Sequence, residues 1–145
     1  MIDIVRFRAT HLWHLDLQEA QRDLRAQFGD PAYGSALEAT QNAFTALDGD
    51  QVLACAGVHE VWPGRGVAWA LIGREAGREF RAIHRAVSGF LAACPLRRVE
   101  MVVDAKFAAG HRWAKMLGMT AEGTLRAYSP GGDDYVMYAR VKHDG

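Results

Sequence analysis

The stretch Val67-Ala68-Trp69-Ala70-Leu71-Ile72-Gly73-Arg74-Glu75-Ala76-Gly77-Arg78-Glu79-Phe80 joins an almost wholly apolar run to a glycine-bearing turn. A run apolar at successive positions is covered on both faces, which places it as a central strand of a sheet. After the turn, Phe80, Ile83, Val87, Phe90, Leu91 and Cys94 recur at helical spacing until Pro95 stops them. A helix start leaves backbone N–H groups unpaired at the positive end of the helix dipole. Such a turn suits a phosphate or pyrophosphate, and an ordinary strand-to-helix turn would read the same way. Gly73 and Gly77 permit close approach to the backbone, and Arg74 and Arg78 are placed to add charge-assisted bonds. The glycine-lysine phosphate loop of nucleotide hydrolases is absent, as is the GxGxxG of dinucleotide folds.

Upstream, Ile2-Asp3-Ile4-Val5-Arg6-Phe7 alternates as a first strand. Thr10 then caps a predicted helix carrying Leu12, Trp13, Leu17, Ala20, Leu24 and Phe28 up to Gly29. Ser35 and Glu38 have capping-box spacing for a second helix running to about Asn42. Asp48-Gly49-Asp50 separates strands over Phe44–Leu47 and Val52–Val61, and Pro63-Gly64-Arg65-Gly66 turns into the central strand. Downstream come a strand at Arg97–Val103, a helix at Ala108–Leu117, and a hairpin pairing Thr124–Tyr128 with Tyr135–Val141. The order β-α-α-β-β-β-α-β-α-β-β predicts an α/β fold with a mixed sheet and helices on both faces.

Composition narrows the function classes. The chain has 145 residues, half of them hydrophobic and 23% charged, which suits one domain over 1–145 and excludes bulk disorder. Seventeen basic residues balance seventeen acidic ones, which argues against a protein built to neutralise nucleic acid or anionic lipid. Cys55 and Cys94 lie in apolar surroundings and make neither a disulfide scaffold nor a metal set. His11 and His14 are three apart, with no third ligand visible for zinc. No signal-peptide core and no apolar run of ~20 residues appear, so a cytoplasmic protein is expected.

The second half carries a resemblance. Asp104-Ala105-Lys106-Phe107-Ala108-Ala109-Gly110-His111-Arg112-Trp113-Ala114-Lys115-Met116-Leu117-Gly118-Met119, followed by Glu122–Tyr128, resembles the closing strand–helix–strand of the GCN5-related N-acetyltransferase (GNAT) superfamily. That resemblance covers nearly the whole chain and implies acetyl-coenzyme A as acyl donor and an amine as acceptor. The superfamily's pyrophosphate loop reads Gln or Arg, two residues, Gly, one residue, then Gly or Ala. Arg74 to Gly77 match it, and Glu79 departs from it. Phe107 stands where an asparagine is frequent, Ala114 where a tyrosine commonly protonates the departing thiolate, and Met119 where an aromatic is usual.

Ala82–Val87, Gly110–Ala114 and Gly123–Ala127 are similar to short acetyltransferase-like proteins of tailed bacteriophages, some of them internal virion proteins. This likeness implies an alternative without catalysis: a module assembled into a virion or bound to a host protein.

Under the enzymatic expectation, Leu71, Ile72, Gly73, Arg74, Gly77, Arg78 and His111 bind the coenzyme. A backbone N–H within Leu71–Gly73 meets the thioester oxygen. Glu60 is the candidate base, with His59 on the opposite sheet face as the other choice. Tyr128 is the candidate acid in place of the missing tyrosine, with Tyr135 beside it. Each has a plainer reading as a solvated or core side chain. His84 reads as a core histidine, and Arg74, Arg78, Arg81 and Arg85 as a solvated basic stripe.

Overall fold

The computed structural model describes residues 2–17, 31–39 and 42–142. Its elements are β1 (Asp3–Arg6), a 3-10 helix (Ala9–His14), α1 (Pro31–Ala39), β2 (Ala43–Asp48), β3 (Gln51–Trp62), β4 (Arg65–Ile72), a 3-10 segment (Arg74–Glu79), α2 (Phe80–Ala93), β5 (Arg98–Asp104), α3 (Ala108–Met116), β6 (Thr120–Leu125) and β7 (Tyr135–Val141). The seven strands form a mixed sheet in the order β1-β2-β3-β4-β5-β7-β6. β4 runs parallel to β5, while the β1–β2, β2–β3, β5–β7 and β6–β7 pairs are antiparallel. Contacts gather the chain into two units, Met1–His59 with Trp69–Ala93, and Glu60–Ala68 with Cys94–Gly145.

In the first unit the Asp-Gly signal makes the expected two-residue hairpin, Asp48 opposite Gln51, with Gly49 at φ +61°. The core is Phe7, Leu12, Leu15, Leu17, Val52, Cys55 and Leu71, against which Tyr33, Leu37 and Trp69 pack. Each fully buried aliphatic side chain here stabilises the fold by ~1.5–3 kcal/mol. Helix α2 buries Ile83, Val87 and Leu91, and its Phe90 ring lies 5.6 Å from that of Phe44. Its arginines Arg81 and Arg85 are exposed, as a solvated stripe requires.

The segment after β1 corrects the helix expected from Thr10. Among its described residues only Ala9–His14 is helical, as a 3-10 turn, and its N-cap is Arg8. Leu15 and Leu17 are extended and bridge Val52 and Gly73, respectively. Both leucines are buried while Asp16 is exposed between them, so a period of two governs where a helical period was read. Positions 18–29 of that expected helix lie outside the described residues. Ser35 and Glu38 form no cap, because α1 already runs through both. Instead Glu38 Oε1 accepts the Ala9 N–H at 2.7 Å and pairs with Arg8 at 3.7 Å.

The 3-10 turn is pinned by a histidine. His11 Nδ1 accepts the Arg8 N–H at 3.0 Å and lies 2.8 Å from the hydroxyl of buried Thr45, whose other neighbour is Cys55 Sγ at 3.6 Å. Burial, then the charges of Arg8 and His14, lower the His11 pKa, with Glu38 opposing. A depressed value means that stability is complete above the unfolded pKa of ~6.5 and is lost as pH falls through the folded one. Thermal unfolding of His11→Gln should therefore depend less on pH between ~7 and ~5 than that of the wild type. Parallel profiles would remove His11 from the latch.

The second unit packs α3 on β5, β7 and β6 around Val99, Val103, Met119, Tyr138 and Ala139, all buried. Gly118, at φ +84°, follows the last turn of α3 and ends it. The final hairpin differs from its sequence reading. β6 occupies Thr120–Leu125, and Tyr128 lies beyond it in the turn. Asp134 Oδ1 accepts the Ala127 N–H at 2.8 Å and the Asp133 carbonyl accepts that of Tyr128 at 2.9 Å. These bonds hold Ala127 at φ +51° and close the turn onto Asp133 and Asp134.

Candidate functional site

The strand-to-helix step begins with tight main-chain packing. Gly73 N–H donates to the Leu53 carbonyl at 2.7 Å, and Arg74 N–H to the Asp16 carbonyl at 2.7 Å. A Cβ on Gly73 would stand 2.8 Å from the Leu53 oxygen and 3.3 Å from that of Asp16. Glycine at this position thus answers to the chain around it. Around Gly77 the situation is reversed, since a Cβ there would meet nothing within 4 Å among the described residues. That is the open backbone a bulky anion needs.

Two guanidinium groups flank this backbone. Arg74 Nε lies 3.3 Å from an Asp16 carboxylate oxygen. Arg78 Nε lies 3.5 Å from Glu75, and its Nη2 3.4 Å from the Gln51 side-chain oxygen. Both arginines are exposed, and exposed pairs of this kind contribute only ~0–1 kcal/mol, so an incoming phosphate can displace them. Leu71 is buried and anchors the end of β4 in the core. With the Gly73 N–H occupied by the Leu53 carbonyl, that donor is not open to a ligand. The structure thus brings Leu71, Ile72, Gly73, Arg74, Gly77 and Arg78 together in the first unit.

The other candidates belong to the second unit. Glu60 stands exposed on the last part of β3. Tyr128 is 53% exposed, its ring 5.3 Å from that of Tyr135. His111 is tied down: its Nε2–H donates to the Ala105 carbonyl at 3.0 Å, and its Nδ1 lies 2.7 Å from the Tyr138 hydroxyl. A carbonyl only accepts, so Nε2 carries a proton, and in the neutral ring Nδ1 then accepts from the tyrosine. The ring nitrogens thereby fasten α3 to buried Tyr138, which leaves neither aimed at a coenzyme phosphate. Ala114 is completely buried on the same helix.

Sequence reasoning missed the strongest electrostatic feature, which surrounds Glu100 in the second unit. This buried carboxylate accepts from Arg65 Nε at 2.6 Å, Arg65 Nη2 at 2.9 Å and Arg98 Nε at 2.7 Å. Arg98 then grips Glu122 with both terminal nitrogens, at 3.0 and 2.5 Å. Hydrogen bonds from Arg65 and Arg98 outweigh burial and hold the Glu100 pKa down at about 2. The available signal was Arg98 and Glu100, two apart and hence on one strand face.

No protein-family model matches the chain, and no curated protein sequence matches it. Solved structures do. Ard1 from Thermoplasma volcanium superposes with a TM-score of 0.79 at 12% identity, covering 97% of each chain. A GNAT-family acetyltransferase from Bacillus cereus gives 0.70 at 10% identity over 98% of each. The ribosomal-protein-S5-alanine acetyltransferase from Vibrio fischeri gives 0.63 at 12% identity, over 99% of this chain and 93% of that one.

The chain has the GNAT fold.

At these identities the likeness concerns architecture. The GNAT order of elements expected from the sequence holds along this chain, with a 3-10 helix in the first helical position among the described residues. No helix among the described residues is long and apolar enough to cross a membrane, and none of their side chains cluster as a metal set.

Proposed function

We propose that the protein is an N-acetyltransferase that takes an acetyl group from acetyl-coenzyme A and passes it directly to an amine. The observation that carries this reading is the Ile72–Phe80 step, set in a fold shared with acetyltransferases, with open backbone at Gly77 between two displaceable arginines. Bound there, the coenzyme would supply an activated thioester. The main chain of Gly77 and the guanidinium groups of Arg74 and Arg78 would hold its pyrophosphate. A backbone N–H near the end of β4 would donate to the thioester oxygen, where negative charge grows as the amine attacks. The chemistry calls for a base to accept the amine proton and an acid to protonate the departing thiolate, and Glu60 and Tyr128 are the candidates the sequence offers for these roles.

A second reading is favoured by Ala114 and Glu79. A buried methyl group stands where the resemblance calls for a proton donor, and a carboxylate closes the loop motif. On this reading the fold serves a bacteriophage as a virion component or a host-binding module, without catalysis.

Coenzyme A binding separates the two. Calorimetry and thermal shift should detect binding to the wild type, worth ~2.7 kcal/mol of stability at ~100 times the dissociation constant. Gly77→Asp should abolish binding while leaving the unliganded protein intact, because the new side chain enters open space. If binding holds, thiol release with an amine panel should fall in Glu60→Gln. An absence of coenzyme A binding to the wild type would defeat the enzymatic reading.

A further inference from the structure

We propose that the second unit carries a separate site for a small, flat organic oxyanion, an aromatic body bearing a carboxylate or a phosphate. The site is an open cleft of about 410 Å³ lined by Trp62, Gly64, Arg65, Arg97, Arg98 and Glu100, together with Pro63. It is independent of the acyl-transfer reading, which uses none of these residues.

Charge is the first argument. Three guanidinium groups line the cleft against one carboxylate, Glu100. Arg65 and Arg98 bond to Glu100, and Arg98 also to Glu122 outside the lining. Those four groups balance, so the charge left over is that of Arg97, whose exposed side chain has no ion-pair partner among the described residues. Spare donors point the same way. Arg65 uses Nε and Nη2 on Glu100, and its Nη1 makes no hydrogen bond among the described residues.

Shape is the second. Trp62 is 57% exposed, a costly position for the largest apolar side chain, and Arg65 Cζ sits 4.3 Å above its ring. Glu100 holds Arg65, and Arg65 steadies the indole, so the wall is ordered before anything binds. Little side-chain entropy then remains to be lost on binding. An indole with a guanidinium on one face offers stacking to a flat ligand, and Arg97 offers the fork that carboxylates and phosphates accept.

Fluorine NMR of the full chain labelled with 5-fluorotryptophan tests this, with the Trp62 resonance assigned from Trp62→Phe. Benzoate and phenyl phosphate share a flat body and differ in the oxyanion, so they reveal which head group is preferred. At least one should shift the Trp62 signal saturably, about tenfold more tightly than inorganic phosphate. Arg97→Gln should weaken it about tenfold, as loss of one charge-assisted contact implies. Arg97 is exposed, so that variant keeps its fold, and its coenzyme A binding should be unchanged. The proposal is overturned by the absence of a saturable shift, by inorganic phosphate binding as well as phenyl phosphate, or by Arg97→Gln leaving affinity intact.

Discussion

Glu100→Gln should unfold with a free-energy deficit of about 3 kcal/mol at neutral pH, the largest single-residue effect expected here. The glutamine keeps the shape and loses the charge around which two half-buried arginines are arranged. Removing one partner of a buried pair costs ~3–5 kcal/mol, and the low end applies here because Arg98 keeps Glu122 and both arginines reach solvent, while Arg65 loses its partner. Linkage gives a similar size: a carboxyl held at about 2 against an ordinary value of 4.5 differs by a few kcal/mol between folded and unfolded chains. The sign also fixes a pH window. Because the folded value is depressed, the contribution is complete above ~4.5 and disappears as pH falls toward ~2. Urea denaturation at pH 7, 4 and 3 should show the gap between wild type and variant closing on acidification. A gap below ~1 kcal/mol at pH 7, or one that ignores pH, would mean that water relieves the network. The double change Arg65→Gln with Glu100→Gln should lose less than the sum of its parts, as coupled neighbours do.

Gly73→Ala should destabilise the protein by ~1–3 kcal/mol, the range for a methyl group forced into a packed region. The atom it would strike, at 2.8 Å, is the Leu53 carbonyl oxygen, which already accepts the Gly73 N–H. Leu53 cannot withdraw cheaply, since its side chain is fully buried. The next oxygen, that of Asp16, receives the Arg74 N–H, so relieving one clash strains another bond. Gly77→Ala is the control: its methyl group meets nothing, and the expected change is within ~0.5 kcal/mol. Two glycines four apart thus differ in kind, one packed against main chain and the other facing open space. Equal stabilities in chemical denaturation would show that the β4 end is softer than its hydrogen bonds imply. On the acyl-transfer reading, Gly73→Ala should also weaken coenzyme A binding by tilting the start of the 3-10 segment.

Element order was legible in the residues because it rests on local rules. The apolar run of β4, the glycine at the β2–β3 turn and the Ile83–Val87–Leu91 spacing of α2 each act within a few neighbours. The chain's charge balance was likewise a matter of composition. Tertiary structure decided what depends on partners distant in the chain. Leu15 and Leu17 fit a helix or a strand equally well until Val52 and Gly73 offered them bridges. Glu38 has the spacing of a cap, yet it serves Ala9, 29 residues away. His111, a candidate phosphate ligand by position, is fastened by Ala105 and Tyr138. Arg65, Glu100 and Glu122 are scattered over three segments and become one network only when β4, β5 and β6 assemble. Periodicity records which face a side chain takes, whereas the partner it meets there is set by long-range packing that no local pattern encodes.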